Sequence, residues 1–318
     1  MKRMVWMLLL CVLLTGCTAQ HRAQQTVFAM DTVMDLQVWA LDAKNAEMAL
    51  GAVEDLIRRM ENTWSATQDN SIPSRLNREQ TVTLTESQKA FLDRVEALKE
   101  RTGGAFDPRL RSLSFLWGFY HEENRFEDFV LPTEAQIAAA IAEQKWDLGA
   151  VVKGYAGQQA AQLLAQMDVD RAILNLGGNI QTYGEKPDGS PWIIGIQNPD
   201  GDDSIATVSV TGTCAVVTSG DYQRYFERNG VRYHHILDPE TGYPADSGLR
   251  SVTVICRDGL VADALSTALF VMGLEDATQL WRKSDDFEAV FLLTDGRILA
   301  TEGAALSGCE YEVIRREE

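Results

Sequence analysis

Apolar and polar positions fall into distinct blocks from residue 27 onward. Residues 27–39 alternate, with Met34, Leu36 and Val38 on one side and Val33, Asp35, Gln37 and Trp39 on the other, which is the period of a half-buried strand. Over residues 42–60 the period changes, and Met48, Val53, Leu56, Ile57 and Met60 share a helical face. Thr85-x-x-Gln88 has the form of a capping box and opens a helix running to about Arg101, ended by Gly103-Gly104. Thr133-x-x-Gln136, just after Pro132, opens an alanine-rich helix in the same way. The apolar stretch 172–176 predicts a strand running into the Gly177-Gly178 turn, where backbone can approach a ligand closely. Residues 192–196 and 207–210 predict strands around a polar hairpin, and Asn229-Gly230 joins two more, 222–227 and 230–235. A strand over 249–256, an apolar helix over 260–272, a helical stretch over 274–283 and a hairpin of 289–293 with 298–301 complete the chain. Strands and helices are interspersed without a repeat, a low-complexity tract or a long linker. This pattern predicts one composite α/β (α+β mixed) domain over residues 27–318.

The start of the chain has a different character. Lys2 and Arg3 precede an apolar run over residues 4–14 that ends in Leu14-Thr15-Gly16-Cys17. The run is short for a membrane span and has the layout of an export signal over residues 1–16. Its ending resembles a bacterial lipobox, which implies palmitate-type lipidation of Cys17, a polar tether over residues 17–26 and an extracytoplasmic protein anchored to the cell membrane. A plain signal cut elsewhere, or an uncleaved anchor, fits the same composition.

Charge narrows the partners. The net charge is −17, and residues 1–16 contribute two basic residues and no acid, so their removal leaves the chain more acidic still. An acidic surface argues against nucleic acid or anionic lipid. Any anionic ligand must then be met by local backbone donors, a lysine or a metal. Besides Cys17, residues 18–318 hold Cys214, Cys256 and Cys309, with no Cys-x-x-Cys spacing. One pair can form outside the cytoplasm, but small core residues are the simpler reading.

Candidate chemistry concentrates toward the C-terminal third. Asp263 is the single acid of its apolar helix, and Thr267 lies one turn further on, so a carboxylate and a hydroxyl face one way. The pair suits Mg²⁺, which takes few protein oxygens; a capping acid and a back-bonding threonine satisfy the spacing equally. Asp147-Leu148-Gly149-Ala150-Val151-Val152-Lys153-Gly154 is a glycine-bearing turn opening a helix, with a lysine placed to neutralise phosphate. His234 and His235 adjoin Asp238-Pro239-Glu240-Thr241-Gly242. Since neighbours on a strand face opposite ways, one histidine at most serves a site, and we favour His235, as general base or as a partner for Asp238 or a pyrophosphate. Trp64, in a polar loop, either stacks on an aromatic ligand or packs under its own loop.

These blocks resemble, in order, the signature of the ApbE family of flavin transferases. Phe28-Ala29-Met30-Asp31-Thr32 is similar to the family's Phe-x-Met-Gly-Thr, with Asp31 in the glycine's place. Gly104-Ala105-Phe106-Asp107-Pro108, Leu116-Trp117-Gly118-Phe119, the Asp147–Gly154 block, Asn175-Leu176-Gly177-Gly178-Asn179, Thr218-Ser219-Gly220-Asp221-Tyr222, His235-Ile236-Leu237-Asp238-Pro239-Glu240-Thr241-Gly242 and Ala262-Asp263-Ala264-Leu265-Ser266-Thr267 follow. The resemblance spans roughly residues 27–300. It implies mixed sheets with packed helices, related to the T-fold, and Mg²⁺-dependent transfer of FMN from FAD to a threonine of an acceptor protein with release of AMP. It further implies FAD contacts at Met30, Trp64, Ala105, Phe106, Asp107, Asp147, Lys153 and Leu237, Mg²⁺ ligation by Asp263, Thr267 and the Ala150 carbonyl, and catalysis by His235 and Asp263. The implied acceptor is a subunit of a membrane redox complex. With water in place of threonine the same site would be an FAD pyrophosphatase; a non-catalytic flavin-binding lipoprotein is the remaining alternative.

Overall fold

A computed structural model of the chain describes residues 20–120 and 129–317, and Cys17 and the lipobox lie outside the described residues. In chain order, β1 (His21–Ala29) and β2 (Thr32–Ala40) precede α1 (Ala43–Trp64), α2 (Ile72–Asn77), α3 (Glu86–Arg101), α4 (Arg111–Leu116), α5 (Glu134–Ala142) and α6 (Val152–Leu164). Next come β3 (Arg171–Asn175), β4 (Asn179–Tyr183), β5 (Trp192–Gln197), β6 (Ser204–Val210), β7 (Cys214–Gly220), β8 (Tyr225–Arg228), β9 (Val231–His234) and β10 (Leu249–Cys256). The long α7 (Gly259–Arg282) leads to β11 (Phe287–Leu293), β12 (Ile298–Thr301), β13 (Leu306–Ser307) and β14 (Glu312–Ile314).

Nine strands form one sheet in the order β1-β2-β3-β4-β7-β10-β11-β12-β14, antiparallel except for the β12–β14 pair. One face carries helices. Leu50, Val53 and Ile57 of α1 and Ala156, Ala160 and Leu164 of α6 bury against Met34, Leu36, Val38 and Leu174 of the sheet. Leu265, Leu269 and Phe270 of α7 bury against Val252, Val254, Ala289 and Phe291. The opposite face is covered by a small sheet, β13-β6-β5, whose Trp192, Ile194, Ile196 and Val208 meet Val216, Val290, Leu292 and Ala300. The mixed fold read from the sequence is therefore present, and residues 192–210 form a separate covering sheet.

Both capping boxes form: Thr85 with Gln88 at α3, and Thr133 with Gln136 at α5. Several boundaries move, and the helix expected to end at Met60 runs on to Trp64, a residue expected in a loop. Residues 21–26 of the expected tether are part of β1, paired with β2 along its whole length. The single strand expected over residues 27–39 is instead the end of β1, a two-residue turn and β2. Met30 and Asp31 both have positive φ (50° and 57°), the backbone of a tight primed hairpin turn. A glycine would sit there without strain, and aspartate is among the residues that tolerate it. The inward positions change parity across the turn, Val27 and Ala29 before it and Met34, Leu36 and Val38 after, so the alternation alone conceals the break. The apolar helix and the helical stretch after it are one element, broken at Gly273 (φ 75°).

The first turns of α6 and α7 meet without side chains between them. A Cβ on Gly154 would lie 2.0 Å from the Gly259 carbonyl oxygen, and one on Gly259 would lie 2.3 Å from the Gly154 oxygen. This contact fixes the floor of the site.

Candidate active site

A cleft of about 650 Å³ opens where the β1–β2 turn, the end of α1, the starts of α6 and β4, the end of β7 and the first turns of α7 converge. That volume lies within the range of small-molecule and cofactor sites. Every site residue inferred from the sequence lines it: Met30, Trp64, Ala105, Phe106, Asp107, Asp147, Ala150, Lys153, His235, Leu237, Asp263 and Thr267.

Asp263 sits at the floor. Its residue exposure is 5%, and its Oδ2 accepts the Gly154 N–H at 2.7 Å, a bond made possible by the glycine contact between α6 and α7. Burial raises its pKa to about 6, opposed by the Lys153 ammonium and the Gly154 N–H. The Asn179 side chain, itself buried, lies beside this carboxylate, yet neither end of its amide completes a hydrogen bond of good geometry. One turn on, Thr267 lines the same cleft, with its hydroxyl 3.4 Å from Ser219 Oγ, which also pairs with Ser266 Oγ at 2.8 Å. The capping reading of Asp263 gives way: the N-cap of α7 is Asp258, which accepts the Val261 N–H at 3.1 Å.

The Asp147–Gly154 block folds as a turn into α6. Asp147 Oδ1 accepts the Gly149 N–H at 3.0 Å, and the Tyr120 hydroxyl donates to Asp147 Oδ2. Burial, followed by the Asp147 charge, holds the Tyr120 phenol well above its ordinary pKa, so it stays a donor. Val151 at the N-cap has no side-chain cap bond, and the first-turn N–H groups of Val152 and Gly154 are taken by the Leu148 oxygen at 3.0 Å and by Asp263 Oδ2 at 2.7 Å.

The two histidines face opposite ways, as strand alternation requires. His234 is buried, with Nε2 3.1 Å from the Ala245 oxygen and its ring edge-on to Phe270; burial lowers its pKa. His235 is half-buried on the cleft wall, and its Nδ1 is enclosed without a partner. Its pKa is lowered to about 3, first by burial and then by the nearby Arg224, His234 and Lys153 charges. Asp238 is not a partner for it. Its carboxylate closes its own turn, accepting from Glu240 N and Thr241 Oγ1, both at 2.9 Å.

Some residues have a structural duty besides lining the cleft. Trp64 is 3% exposed and its ring is 4.4 Å from that of Phe91, so most of it is core. Asp107 accepts the Arg109 N–H at 2.9 Å and pairs with Lys99 at 2.6 Å. Gly177 lines the cleft with its backbone, and a Cβ there would be 2.3 Å from Thr32 Oγ1. Tyr120, Ser114 and Arg224 also line the cleft and were not read from the sequence. Tyr120 directly follows the Leu-Trp-Gly-Phe block, which is the only signal it gives; Arg224 gives none. Cys214, Cys256 and Cys309 are free thiols, and burial pushes Cys214 to about 11 and Cys256 to about 12.

For a cation, the donors on offer are a buried carboxylate, a hydroxyl and the nearby Ala150 backbone, all hard oxygen, which suits Mg²⁺. Among the described residues no group of three His, Cys, Asp or Glu side chains is placed to hold a metal.

The ApbE family model matches residues 30–291. The FAD:protein FMN transferase of Treponema pallidum is 34% identical over 294 residues, covering 82% of this chain and 81% of that protein. That of Escherichia coli K12 is 29% identical over 304 residues, covering 86% and 85%. Among solved structures, the ApbE protein of Thermotoga maritima superposes with a TM-score of 0.79 at 32% identity, covering 89% of this chain and 97% of that one. The flavin transferase ApbE of Vibrio cholerae gives 0.77 at 25%, covering 89% and 98%. The family model, the relatives and the shared fold together define an enzyme of the flavin-transferase class. The chain belongs to the ApbE family of FAD:protein FMN transferases.

Proposed function

We propose that this enzyme transfers FMN from FAD to a threonine hydroxyl of an acceptor protein, releases AMP, and requires Mg²⁺. The observation that carries the proposal is the buried Asp263 carboxylate, presented to the same cleft as Thr267, Ala150 and Lys153. Asp263, Thr267 and the Ala150 carbonyl would hold the cation. Bound there, Mg²⁺ supplies charge neutralisation to the diphosphate and polarises the phosphorus.

The protein's own groups do the rest. Lys153 adds a point charge against the diphosphate. Met30, Ala105, Phe106 and Leu237 form an apolar wall for the flavin. The threonine oxygen bonds to the FMN-side phosphorus, the bond from that phosphorus to the AMP oxygen breaks, and His235 takes the hydroxyl proton. A base of pKa about 3 is too weak in the empty site. An anionic diphosphate set against Arg224 and Lys153 offsets two of the charges that depress it, and so raises His235 when substrate binds.

The acceptor we infer is an extracytoplasmic domain of a membrane redox-complex subunit, reached by an enzyme anchored through Cys17. The test is to incubate the protein with FAD, Mg²⁺ and such a domain, then weigh the domain. A gain of one FMN supports transfer. Free FMN and AMP with an unlabelled domain instead identify an FAD pyrophosphatase, and loss of no FAD identifies a binding protein.

A further inference from the structure

The outward face of the β1–β2 hairpin is polar along most of its length. Arg22 lies over Trp39, Gln24 faces Gln37, and the Thr26 hydroxyl donates to Asp35 at 2.7 Å. Next to the turn the pattern changes. Phe28 and Val33 face each other across the strands, 67% and 56% exposed. The three residues that follow Ala29, namely Met30, Asp31 and Thr32, line the active-site cleft. β1 is also the edge of the nine-stranded sheet, with no strand on its outer side among the described residues. In a hairpin closed by the Ala29–Thr32 pair, the backbone N–H and C=O of Gln24, Thr26 and Phe28 point away from β2. Edge strands are commonly guarded by charge or proline, and here the guard is missing at the one point that adjoins the cleft.

We propose that this edge is the docking strip for the acceptor protein: its threonine-bearing segment adds to β1 as an extended strand, with an apolar side chain against Phe28 and Val33. The proposal rests on the transfer reading, because only transfer brings a second protein to the cleft. An exposed Phe28–Val33 pair continuous with the cleft lip is what such a substrate needs. Strand addition gives affinity through main-chain bonds and lets alternate side chains select the sequence. At about 3.3 Å per residue, Phe28 is roughly 7 Å along the chain from Met30, so a residue two places beyond the Phe28 contact arrives at the cleft.

The test compares wild type with Phe28→Ser/Val33→Thr, which removes the apolar pair, and with Thr26→Pro, which removes an outward N–H at an edge position. The probes are the acceptor domain labelled by wild type and FAD alone. The double variant should raise the acceptor KM about tenfold or more, the scale of one phenylalanine left unburied. Thr26→Pro should raise it as well. FAD affinity and acceptor-independent FMN release should stay within twofold of wild type. An acceptor KM within twofold in both variants overturns the docking strip while leaving transfer intact. A change in the enzyme's own sedimentation with unchanged acceptor KM assigns the strip to a second copy of this chain and also overturns it. If wild type labels no candidate domain, the transfer reading fails, and this inference with it.

Discussion

Replacing Gly154 by alanine sets two effects of opposite sign against each other. Helix propensity favours alanine by about 1 kcal/mol. The structure opposes it: the new Cβ would lie 2.0 Å from the Gly259 oxygen and 2.6 Å from Asp263 Cβ. Neither neighbour is the free end of a flexible side chain, so α6 and α7 must separate by about 1 Å, a repacking that typically costs about 1–3 kcal/mol and exceeds it where backbone meets backbone. Sterics win. Gly154→Ala should lower Tm by roughly 2–8 °C, at about 2–4 °C per kcal/mol for a domain approaching this size. Because the Gly154 N–H holds Asp263 at 2.7 Å, the same shift should weaken Mg²⁺-dependent FAD binding. Gly51→Ala is the control. Gly51 lies in α1 with nothing within 4 Å of its added Cβ, so that variant should gain about 0.5–1 kcal/mol. Thermal melts by circular dichroism decide the matter. A Gly154→Ala protein that melts at or above wild type would refute the abutting of the two helices.

Asp263→Asn should abolish Mg²⁺-dependent FAD turnover while the protein stays folded; near-normal turnover would remove the metal assignment. The same variant tests the electrostatics. A carboxyl raised from 3.8 to about 6 is penalised in its charged form, so wild type should lose on the order of 3 kcal/mol as pH rises from 4 through 6, and melts of the Asp263→Asn protein should lack that limb. His235→Ala should slow acceptor labelling about 10²–10⁴-fold with FAD affinity nearly retained; a full labelling rate would reduce His235 to scaffolding. Trp64→Ala should destabilise by about 3–5 kcal/mol, because the ring is packed on Phe91, whereas Trp64→Phe should keep most FAD affinity. A Trp64→Phe variant that folds normally but loses FAD would show stacking on the ligand to be its main task.

The sequence carried the site further than the architecture. Asp263 and Thr267, one turn apart on an apolar helix, face the cleft as their spacing required, and strand alternation separated His235 from His234. Local capping signals were legible for the same reason: Thr85 and Thr133 act within four residues of themselves. What the sequence hid was long-range. Nothing near Gly154 announces that its missing side chain accommodates Gly259, more than a hundred residues away. Gly177 lines the cleft as its turn suggested, but nothing in its neighbourhood announces that its missing side chain also makes room for Thr32. Residues 21–26 are polar because an edge strand with a solvated face has little to bury, and composition cannot tell that from a tether. Tyr120 becomes a site residue only because folding brings Asp147 to its hydroxyl.

The order of the large sheet also sets where the protein can be handled. With β1 at one margin and β14 at the other, the first and last described strands are separated by eight interstrand steps, about 38 Å at roughly 4.8 Å each. A fluorescent label or affinity handle fused after Glu318 therefore hangs from the margin far from the Met30 turn. A probe joined ahead of His21 would start from the opposite end of β1, roughly 26 Å from the Met30 turn at about 3.3 Å per residue.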